Sequence, residues 1–119
     1  MPALQWARLN ADLNVRLRRG AWYRVLELHP LEAVLDVRGA PVTVPRPFLE
    51  IVATPPRRWT VVAELRNASQ VDPAWGGRYA VCPSCRARQP LARRSSDMRC
   101  DRCGGLFEVG WNEGYLAVG

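Results

Sequence analysis

Short apolar stretches broken by turn residues run through the first half of the chain. Val15-Arg16-Leu17 alternates and is punctuated by Arg19-Gly20. Ala21 to Leu28 (AWYRVLEL) is rich in aromatic and branched side chains, and His29-Pro30-Leu31-Glu32 then reads as a turn with Pro30 fixing its backbone. Ala33 to Val37 is a second strand, Gly39-Ala40-Pro41 a tight connection, and Val42-Thr43-Val44 a third strand stopped by Pro45. Trp59 to Leu65 (WTVVAEL) adds a further strand after the Pro55-Pro56-Arg57-Arg58 loop. Strands at short spacing with Gly/Pro turns predict an all-β chain whose first domain, residues 14–65, is a small barrel or sandwich. Ahead of it, residues 1–13 form a terminal segment. Leu4, Trp6, Leu9 and Leu13, with Pro2 in the first turn, allow a short helix there. Residues 66–78 (RNASQVDPAWGGR) lose the strand pattern and read as a linker that carries one bulky aromatic, Trp75. Strand pattern returns over 79–119.

The first domain resembles an SH3-like β-barrel. The matching residues are Gly20-x-Trp22-Tyr23-x-Val25, Val34-x-Asp36-Val37-x-Gly39 and Val42-x-Val44-Pro45-x-x-x-Leu49-x-Ile51. The resemblance implies a single helical turn in the Pro45–Leu49 stretch before the last strand. It does not choose a function, because such barrels serve in translation, transcription, peptide recognition and as spacers.

The strongest chemical signal lies in the last third. Cys82-Pro83-Ser84-Cys85 and Cys100-Asp101-Arg102-Cys103 are two C-x-x-C pairs separated by fourteen residues. Each pair can form a knuckle that turns two sulfurs and several backbone N–H groups toward one centre. Two knuckles complete a tetrahedral thiolate site for one zinc ion. Disulfide pairing is the alternative, and it fits poorly with an N-terminus that has no apolar signal core. A redox-active C-x-x-C would need a βαβ setting that the flanks do not supply. Iron can take the same four ligands. With Tyr79-Ala80-Val81 leading in and Gly104-Gly105-Leu106-Phe107 following, residues 79–119 resemble the small bacterial zinc ribbons written C-P-x-C … C-x-x-C-G-x-x-F. Arg86 departs from that pattern, since many ribbons place Gly directly after the first knuckle. The resemblance implies a structural, four-thiolate zinc.

Charge narrows the reading further. All 17 basic residues are Arg, against 11 acids, for a formal net charge of +6. The absence of Lys, together with plentiful Ala, Gly and Pro and a single Ile, reads as codon bias more than as function. Four thiolates and one zinc would trim the charge to +4. What is left is local: Arg86, Arg88, Arg93, Arg94 and Arg99 lie between the knuckles against one acid, Asp97. A hairpin joining the knuckles, with Ser95-Ser96-Asp97 near its tip, would present these as a cationic finger for nucleic acid or a ribonucleoprotein, extended by Arg57 and Arg58. The other reading is a protein-interaction module, an accessory subunit of a larger assembly. Trp6, Trp75 and Trp111, at terminus, linker and turn, would be its contacts. An enzyme is not suggested: the one histidine, His29, has no nucleophile beside it, and no phosphate loop or spaced acidic pair appears. With no ~20-residue apolar run, the expectation is a cytoplasmic protein that uses neither membrane nor small-molecule substrate.

Overall fold

The computed structural model describes residues 4–11, 16–62, 78–91, 95–113 and 115. These are all-β: ten strands and two short 3-10 turns, with no α-helix among the described residues. The chain divides into two compact units, Met1–Pro56 and Arg57–Gly119.

The first unit is one curled five-stranded sheet made of β1 (Trp6–Leu9), β2 (Tyr23–Leu28), β3 (Glu32–Val37), β4 (Ala40–Pro45) and β5 (Leu49–Val52). Their order across the sheet is β4-β3-β2-β1-β5, so the first and last strands are neighbours. A 3-10 turn at Arg46–Phe48 precedes β5, as the resemblance to SH3-like barrels implies. The β3–β4 hairpin pairs Val37 with Ala40 around a two-residue loop, Arg38-Gly39. Both loop residues have positive φ, 54° and 84°, which is the backbone a tight right-twisted hairpin needs. The Asp36 carboxylate accepts the Gly39 N–H at 2.7 Å and holds that turn closed. Ala7, Leu9, Tyr23, Ala33, Leu35, Val44 and Leu49 are buried; in β3, β4 and β5 they alternate with exposed or half-buried neighbours as strand geometry requires, whereas in β1 Arg8 between Ala7 and Leu9 is buried as well.

Two expectations change here. The described part of the 1–13 segment is a strand and not a helix: β1 runs antiparallel between β2 and β5, with Ala7 opposite both Tyr23 and Ile51. Pairing on both sides and burial of Ala7 and Leu9 outweigh the weak helical spacing of Leu4, Trp6 and Leu9. Pro2 and Leu13 lie outside the described residues, as does Val15. Of the alternating triplet 15–17, Leu17 is buried, but Arg16 and Leu17 form a bend and not a strand.

The second change concerns Trp59–Leu65, expected in the barrel. Its described part is β6 (Arg58–Val62), which belongs to the second unit. There it is the central strand of a sheet ordered β8-β7-β6-β10-β9, with β7 (Tyr79–Val81), β8 (Arg88–Gln89), β9 (Asp97–Arg99) and β10 (Leu106–Val109). β6 pairs antiparallel with β7 and parallel with β10. Trp59 is fully buried in the cluster of Ala80, Cys82, Met98, Cys100 and Val109, and its indole N–H donates to the Met98 carbonyl at 2.9 Å. The linker expected over 66–78 lies outside the described residues except Arg78, which is exposed just before β7. Of residues 114–119 only Tyr115 is described, and it is buried.

Candidate metal centre

Each cysteine pair sits at the turn of a hairpin, one between β7 and β8, the other between β9 and β10. The two turns use the same backbone bonds. In the first, Arg86 N–H donates to Cys82 O at 3.1 Å and Cys82 N–H to Ala87 O at 2.9 Å. In the second, Gly104 N–H donates to Cys100 O at 2.9 Å and Cys100 N–H to Gly105 O at 2.8 Å. The residue after each pair is left-handed: φ is 65° at Arg86 and 77° at Gly104. Arg86, which departs from the ribbon pattern in sequence, therefore takes the same left-handed backbone as Gly104, a conformation that glycine takes at less cost.

The knuckles bring all four sulfurs within 4.8 Å of one another. Cys82 Sγ lies 3.7 Å from Cys103 Sγ, and Cys85 Sγ 3.6 Å from Cys100 Sγ. All four cysteines are free. A tetrahedron with metal–sulfur bonds of about 2.3 Å has sulfur–sulfur edges of about 3.8 Å, so the cluster has the dimensions of a four-thiolate metal site. Soft sulfur donors in that number suit one metal ion and fill its coordination shell. Cys82 and Cys100 are buried, Cys85 is half-buried and Cys103 is exposed.

Backbone dipoles are aimed at this cluster. Ser84 N–H points to Cys82 Sγ at 3.4 Å; Arg102 and Cys103 N–H point to Cys100 Sγ at 3.4 and 3.5 Å. Burial pushes the Cys82 thiol up to about 12 and also raises Cys85, in each case against the pull of nearby backbone N–H groups. At Cys100 burial also pushes upward, but the N–H bonds from Cys103 and Arg102, helped by the neighbouring thiols, outweigh it and bring the group down to about 7. Without a metal the cluster is thus unequal, with Cys100 the readiest to ionise of these three. A divalent ion would favour the thiolate at every position.

The arginines expected to make a finger are distributed differently. β8 and β9 stand at opposite edges of the sheet order, so the chain between the knuckles is a crossover and not a hairpin. Nor is Ser95-Ser96-Asp97 a tip. Ser95 O accepts the Trp111 indole N–H at 2.7 Å, Ser96 O accepts Val109 N–H at 3.0 Å, and Asp97 pairs with Glu108 in the β9–β10 ladder. Arg86 and Arg88 are half-buried, Arg88 with its guanidinium 5.7 Å from the Tyr79 ring centroid. Arg99 is exposed and donates to Gly104 O at 2.9 Å. Arg57 is exposed; Arg58 is exposed with its Nε 3.5 Å from a Glu108 oxygen. Arg93 and Arg94 lie outside the described residues, as does Trp75. Trp6 is half-buried on β1, opposite Arg24 and Val52. Trp111 is half-buried in the 3-10 turn Trp111–Glu113.

Two residues near the site escaped sequence reasoning. Gln89 ties β8 to the second knuckle, its amide donating to Arg99 O and its carbonyl accepting Asp101 N–H, both at 3.0 Å. A lone polar residue in a short strand carries no signal of this in sequence. Arg102 sits inside the second C-x-x-C, exposed beside the sulfurs. The outward-facing middle positions of such a knuckle could have pointed to it. Comparison of the chain with protein-family models, with curated proteins and with solved structures finds no match.

Proposed function

We propose that the four cysteines hold one structural zinc ion and that the protein is a non-enzymatic binder of nucleic acid or ribonucleoprotein. Zinc is the common occupant of a closed four-thiolate site, and with every position filled by protein sulfur it has no place to activate water. The observation that carries the binding reading is the exposed arginine of the second unit. The second unit holds ten Arg against six acids, and Arg57, Arg78, Arg99 and Arg102 are exposed among the described residues. Such groups contact phosphates and release counterions, giving salt-dependent binding with little sequence preference.

The test is a gel shift with duplex DNA, single-stranded DNA and RNA across a salt series, using zinc-loaded protein. Changing Arg57, Arg99 and Arg102 together to Ala should weaken binding on every sequence and flatten the salt slope by about one per lost phosphate contact. An unchanged slope rejects the reading. Elemental analysis should give one zinc per chain.

One feature favours protein docking as a second reading. Beside half-buried Trp6, Leu4 and Leu26 are 51% and 52% exposed, and Val25 N–H to Gln5 O at 2.9 Å carries the β1–β2 pairing toward them. Changing Trp6 and Leu26 to Ala should release a co-purifying protein while leaving nucleic-acid retention intact.

A further inference from the structure

The four sulfurs are chemically equivalent as ligands but not equally accessible. Cys82 and Cys100 are buried, Cys85 is half-buried, and Cys103 alone of the four is exposed. The backbone N–H groups around them differ too. Backbone N–H groups are directed at Cys82 and twice at Cys100, and such bonds draw electron density from sulfur and lower its nucleophilicity. Cys103 also has a neighbour of a particular kind. Its Sγ lies 3.7 Å from Cys82 Sγ, across the cluster on the other knuckle, and Cys85 and Cys100 stand opposite each other in the same way at 3.6 Å.

We infer that Cys103 is the oxidant-accessible sulfur of the centre and that peroxide converts the site into a cross-knuckle Cys82–Cys103 disulfide that expels the metal. The inference rests on the metal reading above. In the first step the Cys103 thiolate attacks hydrogen peroxide, breaking the O–O bond to give the sulfenic acid and hydroxide. In the second, the Cys82 thiolate attacks the Cys103 sulfur and displaces its oxygen as a second hydroxide, forming the S–S bond. Two thiolates lose two electrons in all, one peroxide gains them, and the two hydroxides take up protons to become water. Two of four ligands are then gone, and the pair left behind, Cys85 and Cys100, cannot close a tetrahedron. A second peroxide would join those two by the same chemistry.

The pairing gives the device its reversibility. A disulfide within either C-x-x-C would leave the knuckles without a covalent link once the metal left. A bond from Cys82 to Cys103 keeps β7 and β10 tethered through the turns that follow and precede them, so that reduction returns a site ready to reload.

The chain's arginines make the outcome readable. Trypsin separates residues 79–86, with Cys82 and Cys85, from 100–102, with Cys100, and from 103–119, with Cys103. Zinc-loaded protein is treated with hydrogen peroxide, free zinc is followed with a chromogenic chelator, and thiols are blocked before digestion. A dimedone trap run in parallel marks the first sulfur oxidised. The expected result is dimedone severalfold higher on 103–119 than on either other peptide, and then 79–86 linked to 103–119 through Cys82, as read by fragmentation. One zinc should appear per first disulfide, and dithiothreitol with added zinc should reverse both. A Cys82–Cys85 or Cys100–Cys103 link, first labelling on another peptide, or oxidation of Cys103 without zinc release would each overturn the inference. Cys103→Ser should slow zinc release severalfold; where that variant fails to load zinc, the wild-type dimedone map decides alone. Protein that carries no metal before oxidation refutes the metal reading, and the disulfide map then still shows whether Cys82 and Cys103 are the reacting pair.

Discussion

In the first unit the interior, apart from Arg8, is hydrocarbon and aromatic: Leu9, Leu35 and Val44 are fully buried or nearly so, with Ala7, Tyr23, Ala33 and Leu49 among the other buried residues. In the second, the central buried cluster has six members, and two of them, Cys82 and Cys100, are candidate metal ligands. Both units are curled five-stranded sheets of short strands. One sheet is closed by side chains that leave water; the other gives two core positions to sulfurs that could hold a metal ion. On the zinc reading proposed above, a small β-unit replaces part of its apolar core with a metal, at the cost of making its stability conditional.

Metal removal should separate the units most sharply. Zinc contributes on the order of 10 kcal/mol to small folded zinc modules, far more than any side chain here. Chelation, or Cys100→Ser, should therefore unfold the second unit while the first keeps its dispersed amide resonances. Loss of both units together would show that the first depends on the second. Acid should act in the same direction. Cys82 and Cys85, pushed up by burial, are protonated in the metal-free centre at neutral pH and must release protons on loading. Cys100, near 7, adds to that release only below about pH 7. Affinity should fall as pH falls and fall more steeply below 7, measured by competition with a chelator of known pH dependence.

Trp59→Ala comes next. Removing a fully buried Trp costs about 3–5 kcal/mol, and here the indole bond to Met98 O goes with it. The loss should appear in the second unit's melting with zinc present and leave the first unit's transition in place. The same substitution tests the placement of β6 itself: a strand of the first unit's sheet would transmit its damage there.

How much of this was visible in sequence follows the same division. From Ala21 to Val44 the turn residues and the alternation mark β2, β3 and β4 to within two residues at each end, because local turn chemistry dictates each reversal, while the 3-10 turn and β5 were expected only from the resemblance to SH3-like barrels. The four ligand positions were legible for a similar reason, since C-x-x-C specifies a local turn. What sequence did not show were partnerships between distant segments. β6 lies next to the barrel strands in sequence, and only its parallel pairing with β10, Val109 against Trp59, assigns it elsewhere. β1 was obscured by Arg8, a charged residue that period-two reasoning places outside but that is only 4% exposed. Its guanidinium reaches one Glu50 oxygen from Nη2 at 2.6 Å and Nε at 3.1 Å, and lies 4.3 Å from the Trp22 ring centroid. The crossover between knuckles was misread as a finger because spacing between ligand pairs says nothing about which sheet edges their strands occupy.

Arg8 also offers a smaller test of the first unit. Glu50→Gln keeps the shape and removes the charge that faces a buried cation across the β1–β5 ladder. Glu50 is 44% exposed, so solvent screens the pair and the expected loss is about 1–2 kcal/mol and not the larger figure for a fully buried bridge. The midpoint of the first unit should move while the metal affinity of the second does not.

The smallest effect asks whether the two knuckles are energetically alike. Their hydrogen bonds match, but one left-handed position is Gly104 and the other Arg86. A left-handed backbone costs a residue with Cβ roughly 1–2 kcal/mol relative to glycine. A methyl group at Gly104 would meet nothing within 4 Å, so Gly104→Ala isolates that backbone cost from crowding. It should lower the second unit's stability by about 1 kcal/mol and loosen metal binding correspondingly. Arg86→Gly should act with the opposite sign and a smaller size, because relief at the backbone is offset by loss of the arginine's own contacts. Opposite shifts in chelator competition would establish that the first knuckle carries a strain the second avoids. Shifts of the same sign would mean that the Arg86 side chain contributes more to its knuckle than its backbone costs.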